Sequence, residues 1–343
     1  MEEIMTPAST ERARSTLPAN FEAKYDDMAI ATENLTRMYG EEAAVDELTM
    51  DVPRGSIFGF IGPSGSGKTS TIRMLTGVHR PTSGKVTVLG HNPAAFSQDM
   101  RARIGYMPQL FVLYPDLTVW ENLNFAASLY GMPLRRHARM NEILQFVELS
   151  DDRNKLARDI SGGMQRRLSL AATLIHRPEL LFLDEPTAGI DPVLRRKFWD
   201  RFRELHEDGR TLFVTTQYVS EASYCDLVGI LHRGRLLLVD TPEGLRYRAF
   251  GGDIVDLMST ERITYENVQA LGRLEYVHGR PRRVSDTHLR LTVDEAATAV
   301  MKLVSWCEER GISVDAVDEY QPEFDDVFVE LIKDEKQHEA NST

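Results

Sequence analysis

The sequence predicts an α/β fold in two unequal parts, and three observations predict it. An apolar run from Ile57 to Ile61 breaks into a glycine-rich loop, then into a helical pattern from Lys68 to Leu75. A second apolar run, Leu180 to Leu183, ends on two adjacent acids, Asp184 and Glu185. From Gly252 the strand and helix patterns follow the order β-α-β-β-α-β with one helix added, which is the ferredoxin-like signature of a small α+β domain.

Composition sets the outer limits. The chain has 343 residues, 42% of them hydrophobic, enough for cores in two or three domains. The formal net charge is −12. Phosphate backbones need a basic face, so no nucleic-acid partner is expected. The two cysteines, Cys225 and Cys307, stand far apart without metal-ligand spacing, the usage of a reduced compartment. No apolar run reaches the ~20 residues of a membrane-crossing helix, so any work at a membrane is expected to go through a partner. Residues 1–26 are polar and patternless and read as a flexible tail, not a signal peptide.

Before the glycine loop, Met28 to Tyr39 and Ala44 to Val52 alternate as strands, an antiparallel addition to a parallel core. After it, Gly84 to Gly90 reads as a hairpin strand, and Ile104 to Gln109 as a strand with a polar end. From Thr118 the pattern turns helical. Thr118 and Glu121 have the spacing of a capping box, and a helical insert is expected over about 112–170. Thr211 to Gln217 is a further core strand with a polar end, and Leu227 to Val239 is a hairpin turning at Arg233-Gly234. In the last part, strands are expected at Ile254–Met258, Leu274–His278, His288–Val293 and Ile312–Val317, and helices at Tyr265–Leu271, Glu295–Arg310 and Glu323–Ile332. The expected domains are therefore 27–248 and 252–333, with flexible tails at 1–26 and 334–343.

The glycine loop carries the sharpest chemistry. Gly62, Pro63, Ser64, Gly65, Ser66, Gly67, Lys68 and Thr69, followed by Ser70, fit G-x-x-x-x-G-K-[ST] between a strand and a helix. The glycines let successive amides turn toward a polyphosphate, and the helix dipole favours the same anion. Lys68 is placed to reach the β- and γ-phosphates of ATP, and Thr69 to ligate Mg²⁺. A buried strand running into Asp184-Glu185 fits a Mg²⁺ partner followed by a group that orients or deprotonates water. Gln109, at a strand end, is placed to touch Mg²⁺ or that water. Ser161-Gly162-Gly163 is a second capped helix start with exposed amides, readable as a phosphate contact or as a plain cap. Tyr39 suits stacking on a purine base or packing within its strand.

In their order, Tyr39, Gly62 to Thr69, Gln109, Ser161-Gly162-Gly163, Asp184-Glu185, Asp191 and Gln217 resemble the nucleotide-binding subunit of ABC transporters from about Ile30 to Leu245. The resemblance implies a P-loop NTPase core and an ATPase. It implies that two copies sandwich two ATP molecules, each site joining one chain's glycine loop to the other chain's Ser161-Gly162-Gly163. It makes Tyr39 a base-stacking residue, Asp191 an interface residue and Gln217 a γ-phosphate contact. It also implies a separately encoded multi-span membrane permease, with this chain peripheral on the cytoplasmic face of the membrane. Two positions depart from the pattern: Met164 stands where the signature L-S-G-G-Q has glutamine, and Gln217 where the family has histidine. Gln217 cannot carry histidine's positive charge, so slow hydrolysis or a heavier reliance on Glu185 is expected.

Pro322 to Leu331 looks like the P-x-L-E-D-V-F-L-x-L ending of drug and antibiotic exporter ATPases, and Leu113 to Asn122 like their coupling region. Three other readings stand beside the exporter. A soluble ABC ATPase acting on ribosomes or DNA would usually carry two cassettes or a long coiled-coil insert, and neither is visible. A degenerate cassette that only binds ATP fits Met164 and Gln217 but not Glu185. An importer subunit also stays open, and the tail motif weighs against it.

Overall fold

The computed structural model describes residues 27–341, with side chains through residue 333; the tail expected at 1–26 lies outside the described residues. The chain divides into two compact units between Val239 and Asp240.

The first unit holds two sheets. Strands β1 (Met28–Tyr39), β2 (Glu42–Pro53), β3 (Ile57–Ile61) and helix α1 (Lys68–Leu75) lead to β4 (Ser83–Val88). The short helix α2 (Gln98–Ala102) and β5 (Ile104–Met107) precede the insert helices α3 (Val119–Leu129) and α4 (His137–Phe146). Then follow α5 (Gly162–Leu174), β6 (Leu180–Asp184), α6 (Pro192–Glu207), β7 (Thr211–Thr216), β8 (Leu227–His232) and β9 (Arg235–Asp240). One sheet is antiparallel, in the order β2-β1-β4, and the other has the order β5-β6-β7-β3-β8-β9. Strand β4 pairs with β1, which corrects the hairpin expected there.

Every residue of β3, β6 and β7 is buried, as continuous apolar runs require when both faces of a parallel sheet are covered. Phe213 anchors the interior: its ring stacks on Phe58 with centroids 5.5 Å apart, and Phe60 and Phe182 tilt against it. Helix α6 contributes Phe198, Trp199, Phe202 and Leu205 at helical spacing. The register decides where chemistry can occur. Ile61 lies beside Thr216, and Asp184 beside Thr215. The carboxyl ends of β3, β7 and β6 therefore finish level, so the glycine loop and the two acids emerge at one edge.

The helical insert begins with the capping box read from the sequence. Thr118 Oγ1 accepts from Glu121 N at 3.1 Å, and Glu121 Oε2 accepts from Thr118 N at 2.8 Å. Beside the glycine loop, where Gly234 N donates to Ser66 O at 3.0 Å, Arg233 and Gly234 take φ 46° and 83° between β8 and β9, the handedness a tight hairpin turn needs.

The second unit runs through α7 (Pro242–Phe250), β10 (Asp253–Ser259), α8 (Tyr265–Leu271), β11 (Val277–Arg283), β12 (His288–Val293), α9 (Ala296–Glu309), β13 (Val314–Glu319) and α10 (Phe324–Asn341). Its antiparallel sheet has the order β11-β12-β10-β13, the ferredoxin-like arrangement. Val255, Leu257, Leu289, Leu291, Val293 and Val317 share a core with residues of α8 and α9. Strand β11 begins later than the sequence suggests, because Leu274 belongs to the turn after α8 and packs into that core. The arginines of Val-His-Gly-Arg-Pro-Arg-Arg hid the strand, since only Val277 and Pro281 face inward. Helix α10 continues to Asn341, across residues where the sequence suggested a tail.

Candidate functional site

The site is assembled where β3 and β6 end. Gly67 caps α1 with φ 107° and no side-chain cap, and Gly65 has φ 78°. A Cβ on Gly62 would lie 2.2 Å from Leu231 O, and one on Gly67 2.3 Å from Ala44 O, so backbone forbids both. Pro63, Ser64 and Gly65 form an exposed lip. Ser66 Oγ is buried inside the loop without a hydrogen-bond partner among the described residues.

Lys68 is 4% exposed, and its ammonium closes the loop by donating to Gly62 O at 2.8 Å and Pro63 O at 3.0 Å. Its third neighbour is Glu185 Oε1 at 3.4 Å. Burial lowers the Lys68 pKa below the ordinary lysine value, and the charges of Glu185 and Asp184 oppose that.

Asp184 is fully buried. Its Oδ1 accepts from Thr215 Oγ1 at 2.7 Å and from Thr69 Oγ1 at 3.3 Å. Its Oδ2 has no hydrogen-bond partner among the described residues. Burial pushes the Asp184 pKa above its ordinary value, against the two hydroxyls. A buried carboxylate oxygen without a donor, beside a threonine hydroxyl, fits a cation or its bound water. The glycine cradle and Lys68 likewise fit a polyphosphate.

Glu185 is held in the left-handed region at φ 47°, a strained place for a side chain of this type. Thr215 enforces it, accepting from Glu185 N through both its carbonyl, at 3.1 Å, and its hydroxyl, at 3.0 Å. The Glu185 carboxylate accepts from Gln109 Nε2 at 2.9 Å. One threonine thus orients both acids, and nothing in its own sequence neighbourhood distinguishes it. Arg166, on α5, is a second residue the sequence did not single out. It donates to Pro108 O, and the charges of Glu185 and Asp184 oppose the lowering of its pKa by burial.

Tyr39, at the end of β1, is 43% exposed. Arg37 covers one face of its ring at 4.8 Å, and its hydroxyl lies 2.9 Å from His79 Nδ1. Burial raises the Tyr39 pKa, but Ser70 and Arg37 outweigh it and hold the group below its ordinary value. Tyr39 is therefore grouped with half-buried Ser70 and His79 beside α1.

The sequence profile described as ABC transporter matches residues 45–188. A daunorubicin resistance ATP-binding protein of Streptomyces coeruleorubidus is 36% identical over 315 residues, which is 90% of this chain and 98% of that one. The chain belongs to the ATP-binding proteins of ABC transporters. A linearmycin resistance ATP-binding protein of Bacillus subtilis is 32% identical across 88% of the cassette chain and 97% of its own length. A probable multidrug ABC transporter ATP-binding protein of Escherichia coli is 41% identical over 223 residues, 64% of this chain, and the chain spans 38% of that relative's length. Among solved structures, an ATP-binding subunit of an ABC transporter gives a TM-score of 0.59 at 28% identity, covering 65% of this chain and 93% of that one. A dimeric cassette in a post-hydrolysis state with ADP and Pi gives 0.57 at 26% identity, covering 62% and 98%. ATP-binding domains of this family are ATPases coupled to transport, and they work as dimers with membrane permeases. No helix among the described residues is long and apolar enough to cross a membrane.

The rest of the cassette's expected site lies elsewhere. Ser161 caps α5, its Oγ accepting from Met164 N at 3.3 Å. Asp191 caps α6, accepting from Val193 N and Leu194 N at 3.0 Å each. Ser161, Gly163, Met164, Asp191 and Leu194 line one open hollow, and no glycine-loop residue borders it. The Gln165 amide donates to Ala157 O at 2.9 Å, so it is turned into the insert and does not replace the glutamine missing at Met164. Gln217 is exposed just past β7, next to Thr216, whose carbonyl accepts from Gly62 N at 3.3 Å. Behind these loops, buried Thr187 donates to Glu221 Oε1 at 2.7 Å, and Arg195 lies 3.6 Å from the same oxygen while stacking on Tyr218. That network ties the loop after Glu185 to the loop after Gln217, and no local sequence pattern marks it.

Proposed function

We propose that the chain is the ATP-hydrolysing subunit of an exporter that moves an antibiotic-like or other small molecule, or a lipid, through a separately encoded membrane permease. The observation that carries this is the closed set Lys68–Glu185–Gln109 beside Thr69–Asp184–Thr215, at the mouth of a glycine loop. The resistance proteins that share almost the whole chain support the direction and the substrate class.

When bound, ATP supplies the γ-phosphoryl group and Mg²⁺ offsets the charge on its oxygens. The amides of Gly65 to Thr69 and the Lys68 ammonium hold the phosphates. Thr69 and Asp184 would hold the Mg²⁺, directly or through water. Gln109 fixes the Glu185 carboxylate, and Glu185 orients a water and takes its proton. The half-exposed ring of Tyr39 stacks on the base. Ser161, Gly162 and Gly163 act on the nucleotide of a second copy, with Asp191 at the same interface. Gln217 contacts the γ-phosphate without histidine's charge. Closure on ATP and reopening after hydrolysis drive the permease from the cytoplasmic face.

The test joins two measurements. ATPase rates are compared for the parent, Lys68→Ala and Glu185→Gln, and the full chain is co-purified from gently solubilised membranes of its host. Hydrolysis lost in both variants, with a multi-span membrane protein recovered at comparable amount, supports the reading. Hydrolysis without such a protein, or recovery with ribosomes instead, would sink the transport assignment.

A further inference from the structure

The outward face of the second unit's sheet carries an ordered row of charge. Strand pairing sets Arg282 of β11 beside Arg290 of β12, Arg290 beside Asp256 of β10, and Asp256 beside Asp318 of β13. Side chains in one register row share a face. The row therefore reads plus, plus, minus, minus across four strands. It lies opposite the face that Val255, Leu257, Leu289 and Leu291 bury. The two central members satisfy each other: Arg290 donates to both oxygens of Asp256, at 2.8 and 2.9 Å, and stacks on Tyr320. The outer members do not. Arg282 and Asp318 are exposed, and neither has an ion pair or side-chain hydrogen bond among the described residues. Each also stands beside a like charge, which costs stability in an antiparallel pair. The adjacent row is His288, Met258 and Ala316, which places an exposed methionine and a small residue at the centre of the face.

Such a row is self-complementary. Rotation by 180° about an axis parallel to the strands reverses its order and sets plus, plus over minus, minus; an axis across the strands would set like over like. We propose that this sheet face is a second contact between two copies of the chain, with Arg282 of one copy meeting Asp318 of the other around a two-fold axis parallel to the strands. The inference rests on the reading that the chain works as a pair. Strand spacing and length give roughly 400 Å² for the whole face, and Ile254 on it is already buried, so less than half of what each partner of a stable dimer buries is free. The face therefore acts as a second attachment for copies held elsewhere, strengthened by effective concentration.

The test is cross-linking of the full chain carrying Arg282→Cys and Asp318→Cys together with a short bifunctional thiol reagent, because facing sheets stand about 10 Å apart, beyond the roughly 7 Å reach of a direct disulfide. Within one chain these positions are three strands apart, about 14 Å, so a dimer-sized product reports contact between copies. The native Cys225 and Cys307 are buried. A reagent-linked dimer is expected in the double variant and in neither single variant. It should form about tenfold faster in a Glu185→Gln background with ATP, and still form in a Lys68→Ala background. Monomer in both backgrounds overturns the proposal, even where Glu185→Gln gives an ATP-dependent dimer. Equal cross-linking of the single variants also overturns it, because that places like against like. A cross-link that persists where ATP yields no dimer would sink the sandwich reading alone. Charge reversal gives a check without cysteines: Arg282→Asp should weaken self-association severalfold at low salt, and Arg282→Asp with Asp318→Arg should restore it. If reversal instead strips the chain from permease-bearing membranes and no cross-link forms, the face serves the membrane subunit and the proposal fails.

Discussion

The two helix starts that the sequence reads as phosphate contacts are built in opposite ways. Helix α1 begins at Gly67, with no side chain capping its amides, and a lysine, two acids and two threonines are gathered around it. Helix α5 begins at Ser161, whose own hydroxyl accepts from Met164 N, beside an open hollow that holds no phosphate-loop residue. Each presents the positive end of a helix dipole, but only the first is equipped for chemistry within one chain. A helix terminus is therefore a partial site, and the groups brought to it decide what it does.

Alanine separates the two most strongly. Gly62→Ala drives a Cβ to 2.2 Å from Leu231 O and should abolish ATP binding, measured by equilibrium titration. Gly162→Ala meets nothing within 4 Å, and in a helix it should raise stability by about 0.5 kcal/mol. If Ser161-Gly162-Gly163 faces a second copy, Gly162→Ala should still lower ATP-dependent dimerisation and turnover. Unchanged turnover at unchanged stability would leave α5 a plain capped helix.

Glu185→Gln keeps the Gln109 contact but removes the base, and should slow hydrolysis about 100-fold or more while nucleotide still binds. A loss below tenfold in single-turnover assays would move the base elsewhere in the site.

The far end of α5 gives a pH test. His176 donates from Nε2 to Ile104 O at 3.0 Å and stacks on Tyr130. Burial, the largest cause, pushes its pKa down to about 4 from 6.5. A depressed folded pKa means the stabilising neutral ring is fully present above pH 6.5 and is lost as pH falls through 4. Partial exposure reduces the effect to about 2 kcal/mol over that window. Denaturant melts of the parent and His176→Gln at both limits check it; identical slopes would remove His176 as the cause.

The smallest effect is expected at Gln217. Gln217→His should raise turnover about two- to fivefold by restoring a group that can carry charge near the γ-phosphate. An unchanged rate would show that this position does not limit hydrolysis.

Much of the candidate site was legible because its parts are local. Gly62 to Thr69 need only eight consecutive residues to define a turn and a helix start, and Leu180 to Glu185 need only an apolar run that ends in acids. Thr215 was not legible, because a threonine in a buried strand looks like any other until β7 is laid between β3 and β6. Arg166 and the Thr187–Glu221–Arg195 network were hidden for the same reason. Strand β11 was missed in part because its outward residues are arginines, which mask the period of two.

By itself, then, the sequence determined the phosphate loop, the paired acids, the capping box at Thr118 and the ferredoxin-like order of the second unit, because each is fixed by neighbours along the chain. Only the tertiary structure decided that Thr215 orients both acids, that Asp184 keeps one buried oxygen without a partner among the described residues, and that Arg282, Arg290, Asp256 and Asp318 fall in one row. Each of these depends on register between segments distant in sequence. Shifting one strand by a single residue would turn its side chains to the other face, and no pattern along one segment records that choice.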